Sequence, residues 1–331
     1  MNNSKPLVLI ALLLCSITAN AQTKNHDDYI NDAEQLYEKK DYQASAIAYS
    51  NAFAANGGLG SPNDRYNAAC SWALAGNADS AYAQLNRIAT KGNYTNLSHL
   101  LSDADLKSLH TDKRWEEVVI QVRKNKEKQE ENYDKPLVAM LDTIYMTDQE
   151  PRMALDELEK KYGQQSKEVK AEWARISKLD SINVIKVTQI LDKYGWLGYD
   201  KIGRQGNTTL FLVIQHADIA VQEKYLPMMR QAVKDRKAQP SALALLEDRV
   251  ALRKGGKQTY GSQIGMDENG KAYVQPLEDP DHVDERRASV GLGPLSGYVS
   301  NWQIQWDVEE YKKQLPTIEA LEKKRAAKSS Q

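Results

Sequence analysis

Two consecutive helical hairpins near the N-terminus constrain the fold more than any other feature. Residues 27–58 form two amphipathic segments, and Ala33, Leu36 and Tyr37 recur at helical spacing on the first of them. Small residues on both segments let the helices approach closely, while the tyrosines fill the groove beside them. Residues 64–90 repeat the same spacing of small and large residues. The pattern therefore predicts a stack of paired helices.

Both units resemble tetratricopeptide repeats, although the first departs by one residue between its helices and neither has the closing proline. The matching aromatic and small positions are Tyr37, Tyr42, Tyr49 and Ala52. Residues 103–115 are similar to the helical tail that often closes short bacterial arrays of this kind. The resemblance implies a shallow groove that could bind a protein partner, with packing against a second domain as the alternative.

The composition agrees with a helical fold. The 331 residues include only 18 glycines and 10 prolines, too few for a turn-rich β-sandwich or barrel. The 44 basic residues balance 45 acidic ones, which argues against nucleic-acid binding. We predict a mainly α protein in which tetratricopeptide-like hairpins precede a helical domain with one β-hairpin.

The first residues match a signal peptide. An apolar run over 7–17 is followed by small residues and a cleavage point between Ala21 and Gln22. We predict a periplasmic or secreted protein, with no membrane-spanning segment after cleavage. A lipoprotein modified at Cys15 is the alternative, but Leu14 is larger than that processing site prefers.

Composition shifts along the chain predict four segments. A run of charged and polar residues over 123–135 reads as an exposed linker, so we place a domain boundary there. The predicted segments are the signal peptide (1–21), the tetratricopeptide-like module (22–131), a C-terminal helical domain (132–310) and a charged tail (311–331).

The C-terminal half carries most of the long helical patterns. Helices are predicted over 136–146, 149–162, 166–194, 207–222, 240–254 and 283–289. The segment 207–222 has apolar residues around its whole circumference, yet Gln215, His216 and Asp218 lie in its middle. Because burying unpaired polar groups is unfavourable, these three side chains require partners from other segments or from a ligand.

A single β-hairpin is predicted after these helices. Asn269-Gly270 suits a tight two-residue turn, and that register pairs Met266 with Tyr273. On the preceding extended segment, Gln258 and Tyr260 share one face.

Five motifs of this half are similar, in order, to those of a bacterial family of unknown function numbered 6624. They are GWLGYDKIG, VIQHAD, LEDRV, QTYGSQ and VDERRASVGLGPL, and the likeness covers about residues 135–300. The resemblance implies a helical domain and carries over no activity. Its signature positions in this chain include His216, Asp248, Arg249, Gln258, Tyr260, Gln263, Arg286 and Arg287.

These positions suggest a catalytic or ligand-binding centre. Histidine often serves as a general base, so His216 and Asp248 are the candidate catalytic residues, with Asp248 orienting the imidazole. Arginine guanidinium groups match carboxylate or phosphate, so the candidate ligand-binding residues are Arg249, Arg286 and Arg287, with Gln258, Tyr260 and Gln263 as polar contacts. The alternative is structural: a core histidine, a buried ion pair and main-chain hydrogen bonds.

No intact catalytic motif and no recognised metal-ligand spacing is present, so we predict no metal and no cofactor. The favoured interpretation is a noncatalytic protein-interaction or ligand-binding protein, whose N-terminal repeats engage a protein partner. The alternative is a hydrolase-type enzyme that uses His216 as base, with Asp248 and arginine anion clamps.

Overall fold

The computed structural model describes residues 24–329, and these residues are mainly α-helical. The predicted signal peptide and the alternative lipid site at Cys15 lie outside this range. The chain divides into two compact units between Gln129 and Glu130. No helix among the described residues is both long and apolar enough to cross a membrane.

The N-terminal unit consists of paired helices, which confirms the predicted hairpins. Its elements are α1 (His26–Glu38), α2 (Tyr42–Ala55), α3 (Pro62–Leu74), α4 (Ala78–Thr90), α5 (Leu97–Ser102), a 3-10 helix (Ala104–Leu109) and α6 (Lys113–Gln129). Side chains of Asn25, Asp41, Ser61 and Asn77 accept backbone N–H groups at the starts of the first four helices. These caps satisfy donors that a helix leaves free at its N-terminus.

The C-terminal unit contains further helices and a short hairpin. Its elements are α7 (Lys135–Tyr162), α8 (Lys167–Tyr194), α9 (Tyr199–His216), α10 (Ile219–Lys234), α11 (Pro240–Arg253), β1 (Ile264–Met266), β2 (Ala272–Val274), α12 (Val283–Ser289), α13 (Leu295–Val299) and α14 (Val308–Ser329), with 3-10 turns at Pro280–His282 and Ser300–Trp302. Helices α7 to α11 share one apolar core, which includes Leu141, Val187, Ile214 and Leu246. A smaller core joins the hairpin to α14 through Val274 and Tyr311.

Helix α7 is continuous where the sequence predicted two helices. Pro151 lies inside it and removes one helical N–H donor. Arg152 places Nη1 2.7 Å from the carbonyl oxygen of Asp148, the residue after Thr147, whose carbonyl loses its helical donor at the proline. Buried Ile144 and Leu155 lie on either side of Pro151. Packing on both sides therefore maintains the helix through the proline.

The predicted helix over 207–222 ends at His216 instead of continuing. Asp218 is the N-cap of α10, and its carboxylate accepts the N–H of Val221 at 2.9 Å. Aspartate is a favoured N-cap because it satisfies such a donor, and this preference prevails over the continuous apolar pattern. Asp218 is exposed, so only Gln215 and His216 remain of the three polar residues predicted to be buried.

The hairpin register also differs from the prediction. Met266 pairs with Ala272, and Tyr273 pairs with Gly265. The carboxylate of Asp267 accepts two backbone N–H groups of the loop, and Gly270 adopts a φ of 78°. These features build a three-residue loop in place of the predicted two-residue turn, which shifts the pairing by one residue.

Candidate functional site

His216 is the last residue of α9 and lies against a buried carboxylate of α7. Its Nδ1 is 3.1 Å from Oδ1 of Asp148, whose side chain is 1% exposed. The His216 side chain is 19% exposed, and its Nε2 has no hydrogen bond to any residue within 24–329. The predicted partner was Asp248, whereas the structure places Asp148 beside the imidazole.

Arg152 pairs with both carboxylates around His216. Its guanidinium binds Asp180 of α8 with both carboxylate oxygens within 2.9 Å, and lies 3.5 Å from Asp148. Asp148, Asp180 and His216 bring possible metal-ligand atoms within 4.8 Å of one another. Arg152 offsets one of the two negative charges and already holds both oxygens of Asp180 by hydrogen bonds, so this cluster differs from one whose carboxylates have no arginine partner.

The pKa of Asp148 lies below the ordinary value for aspartate. Burial favours the neutral acid, but the hydrogen bond and charge of His216, together with the charge of Arg152, outweigh that effect. The carboxylate is therefore ionised at neutral pH and orients the imidazole through Nδ1.

Asp248 holds a loop rather than the histidine. Its side chain is fully buried and accepts the backbone N–H groups of Thr259 at 2.7 Å, Tyr260 at 3.0 Å and Ser262 at 3.0 Å. These hydrogen bonds account for both carboxylate oxygens. Asp148, not the predicted Asp248, therefore orients His216, and Asp248 fixes the backbone that follows α11.

Gln258 also has a structural role, because its side chain binds the main chain. It is fully buried, and its amide nitrogen donates to the carbonyl groups of Gln263 at 3.1 Å and Gln275 at 2.9 Å. Its side-chain oxygen accepts the N–H of Gln263 at 2.8 Å. Every hydrogen-bonding group of the side chain is therefore directed at the main chain, not at a ligand.

Two of the three predicted anion clamps also bind the main chain. Arg286 donates to the carbonyl of Thr259 at 2.9 Å and pairs with Asp279. Arg287 donates to the carbonyl of Tyr260 at 2.7 Å and lies over the ring of Tyr298. Both arginines therefore stabilise the 259–262 loop. Tyr260 contributes its backbone N–H and carbonyl groups to these hydrogen bonds.

Arg249 and Arg253 bind carbonyl and amide oxygens. Arg249 donates Nε to the side chain of Gln263 at 3.0 Å and Nη1 to the carbonyl of Gln215 at 2.8 Å. Arg253 donates to the carbonyl of Ala217 at 2.7 Å. None of the ion pairs found among residues 24–329 includes either guanidinium. Arg287 also lacks an ion pair, but its guanidinium lies over the ring of Tyr298. The hydrogen bonds of Arg249 and Arg253 therefore reach only neutral oxygens, although the charge of Asp218 acts on Arg253.

The pKa of Arg249 reflects this environment. Burial, followed by the positive charges of Arg253 and Arg152, lowers the pKa of Arg249 to about 10. Arg249 also adjoins the end of the helix that carries His216, because its Nη1 binds the residue immediately before it. The charges of Arg249, Arg253 and Arg152 thus act on one another in this part of the C-terminal unit, where Arg152 alone is paired with carboxylates.

Asp148, Arg152 and Asp180 were absent from the predicted site. Asp148 and Arg152 are four residues apart on one helix, which is a spacing typical of exposed ion pairs. Only the folded chain brings Asp148 to His216, 68 residues later. A cavity of about 700 Å³ elsewhere in this unit is lined by Tyr273, Trp306 and other residues outside the predicted site.

Comparison with known proteins yields one match. A family model described as a family of unknown function (DUF6624) matches residues 134–308, which is more than half of the chain. No curated protein and no solved structure matches.

Proposed function

This chain belongs to DUF6624, a family of unknown function, and we propose that it is a noncatalytic binding protein whose C-terminal unit holds a small anion. The observation that carries this proposal is the unpaired positive charge of Arg249 and Arg253. A partly buried guanidinium without an anionic partner is unfavourable, and a bound carboxylate or phosphate would relieve that cost.

The geometry leaves hydrogen-bond donors for such a ligand. Arg249 uses Nε and Nη1 within the protein, and its Nη2 has no hydrogen bond in the described part of the chain. Arg253 uses only Nη1 in the same way. Guanidinium groups bind carboxylate and phosphate through two parallel N–H donors, so these free groups match that chemistry.

Calorimetric titration of the full chain with inorganic phosphate and with succinate tests the proposal. We expect one of these probes to bind the wild type and to fail with Arg249→Gln. Arg230→Gln is the matched control. Arg230 lies in the same unit, but its guanidinium is paired with the carboxylate of Glu247. Binding that Arg249→Gln leaves unchanged, or the absence of binding by both probes, would contradict an anion site here.

A protein partner for the N-terminal unit belongs to the same proposal. Its paired helices support a tetratricopeptide-like module, which commonly presents a groove to peptides. The N-terminal sequence supports export to the periplasm or the medium, with cleavage between Ala21 and Gln22. Mass spectrometry of the N-terminus of protein recovered from a bacterial periplasm would test that cleavage.

A second candidate function is hydrolysis, and the pair of His216 and Asp148 favours it. The buried carboxylate fixes one imidazole nitrogen, and Nε2 is available to accept a proton from water. In this case His216→Asn would abolish turnover of an ester or phosphoester while anion binding by Arg249 persists. Equal turnover by the wild type and His216→Asn would exclude His216 as a base.

A further inference from the structure

The N-terminal unit contains an acidic and aromatic cavity that lies outside the residues matched by the family. The cavity is about 520 Å³ and is lined by residues of α1 to α3, of α5 and of the turn that follows α5. Four carboxylates line it, from Glu34, Glu38, Asp103 and Asp105, and the lining includes no lysine or arginine. Its charge is therefore not balanced from within the lining.

Three possible metal-ligand side chains meet at one end of this cavity. Donor atoms of Cys70, Asp103 and Asp105 all lie within 4.8 Å of one another. Oδ2 of Asp103 is 3.7 Å from Sγ of Cys70 and 3.7 Å from Nε2 of His99. Oxygen and sulfur ligands of a tetrahedral zinc ion lie about 3.5 Å apart, so the first spacing is close to that of a ligand pair.

Hydrogen bonds hold these donors in place without neutralising them. The hydroxyl group of Tyr66 donates to Asp103 at 2.9 Å, and that of Tyr37 donates to Asp105. Nδ1 of His99 is 3.0 Å from the hydroxyl group of Tyr94, which directs the imidazole. Outer-shell contacts of this kind orient metal ligands in proteins.

The two carboxylates have no lysine or arginine as an ion-pair partner within the described range. Among residues 24–329, neither Asp103 nor Asp105 forms an ion pair with a lysine or arginine. The Asp103 side chain is only 15% exposed, so water compensates its charge poorly. Two neighbouring carboxylates in such a setting repel each other, and a bound cation would remove that repulsion.

We propose that Cys70, Asp103 and Asp105 bind a divalent transition-metal ion of the zinc type, with water completing its coordination. Binding forms metal–sulfur and metal–oxygen bonds, and the thiol proton leaves to solvent with no change of oxidation state. A thiolate selects a borderline-soft ion over magnesium or calcium, which prefer oxygen ligands. Cys70 and Asp103 are 33 residues apart, so their spacing matches no metal-ligand motif in the sequence.

Titration of the chelator-treated full chain with cobalt and zinc tests the site. Cobalt should bind as one ion per chain and give a thiolate-to-cobalt charge-transfer band in the ultraviolet. Cys70→Ser should remove that band, and Asp105→Asn should weaken zinc binding by at least about tenfold. Glu38→Gln is the matched control in the same cavity and should leave the affinity unchanged.

Three results would overturn the proposal. The first is the absence of any binding by zinc and cobalt while the wild type and Asp105→Asn show the same folded circular dichroism. The second is cobalt binding without a thiolate band, together with a zinc affinity that Asp180→Asn reduces. That result would place the ion beside His216 instead. The third is equal affinity for magnesium, which would show that the sulfur donor takes no part.

Discussion

The two units of this protein place their buried charges in different settings. In the C-terminal unit, Asp248, Arg286 and Arg287 are directed at backbone N–H and carbonyl groups, so the fold itself satisfies them. In the N-terminal unit, Asp103 and Asp105 line a cavity and accept tyrosine hydroxyl groups, and Asp103 also accepts the backbone N–H of Asp105. A carboxylate whose oxygens are all bonded to the main chain indicates a structural role, while a charge that lines a cavity or keeps free donors without an ion-pair partner is a candidate for ligand binding.

Arg249 and Arg253 keep free donors within the C-terminal unit. They lie at the end of α9 and bind carbonyl groups there, and among the described residues no carboxylate forms an ion pair with either. Arg287 also lacks such a pair, but its guanidinium lies over the ring of Tyr298. The same reasoning that assigns a cation to the N-terminal cavity therefore assigns an anion to Arg249 and Arg253. The molecule would carry two ligand sites of opposite charge preference, one in each unit.

The largest effect is expected for Asp248→Asn. The asparagine amide has one oxygen, a weaker acceptor than a carboxylate, and its NH2 group would face backbone N–H donors. We therefore expect a loss of about 3 kcal/mol or more in the free energy of unfolding. Urea denaturation at neutral pH measures this loss. Glu247→Gln, which breaks a partly exposed ion pair with Arg230, should cost less than about 1 kcal/mol. Equal costs for the two variants would show that Asp248 does not hold the loop.

Asp148→Asn should have the next largest effect, about 2 kcal/mol at neutral pH, because it leaves His216 and Arg152 without a buried carboxylate. The native-state pKa of Asp148 is depressed. Its ionisation therefore stabilises the fold above the unfolded-state pKa, and this contribution is lost as the pH falls through the native-state pKa. The difference between wild type and variant should shrink in acid, and a difference that is constant from neutral to strongly acidic pH would contradict the assignment.

Asp105→Asn sharpens the comparison because its effect on the free energy of unfolding should be much smaller than that of Asp248→Asn. Without metal, the substitution removes repulsion from Asp103 and keeps an acceptor for Tyr37, so the free energy of unfolding should change by less than about 1 kcal/mol. Zinc should stabilise the wild type in thermal unfolding and not this variant. A destabilisation as large as that of Asp248→Asn would mean that Asp105 is structural.

A similarly small effect on stability is expected for Arg249→Gln. Glutamine keeps one donor for the carbonyl of Gln215 and removes an unpaired charge, so the free energy of unfolding should change by less than about 1 kcal/mol. Phosphate or succinate binding should nevertheless be lost in calorimetry. If the variant unfolds as readily as Asp248→Asn, the guanidinium supports the fold and is not a ligand group.

Local patterns predicted most of the fold. Helical spacing predicted the paired helices of the N-terminal unit and the position of Val283–Ser289. The errors occurred where the hydrogen bonds of a single side chain ended a helix or set the length of a turn. Asp218 capped a new helix inside an apolar run, and Asp267 closed a three-residue loop. The spacing of apolar residues along the chain does not predict such side-chain hydrogen bonds.

The candidate site was predicted less completely than the fold. The resemblance to the family gave His216 and Arg249, but the partner of His216 lies 68 residues earlier, on a helix that was predicted to be two. The cluster of Cys70 and Asp103 depends in the same way on a contact between distant segments. Such pairings require tertiary structure, because no spacing in the sequence encodes them.

Hydrogen exchange of the full chain, followed by mass spectrometry of its peptides, tests the central claim most directly. Added zinc should slow exchange in peptides that cover Cys70 and residues 99–105, and should leave those around His216 unchanged. Added phosphate or succinate should slow exchange only in peptides covering 213–218 and 249–263. Protection of the same peptides by both ligands, or of none by either, would contradict the claim that unpaired charge marks a separate ligand site in each unit.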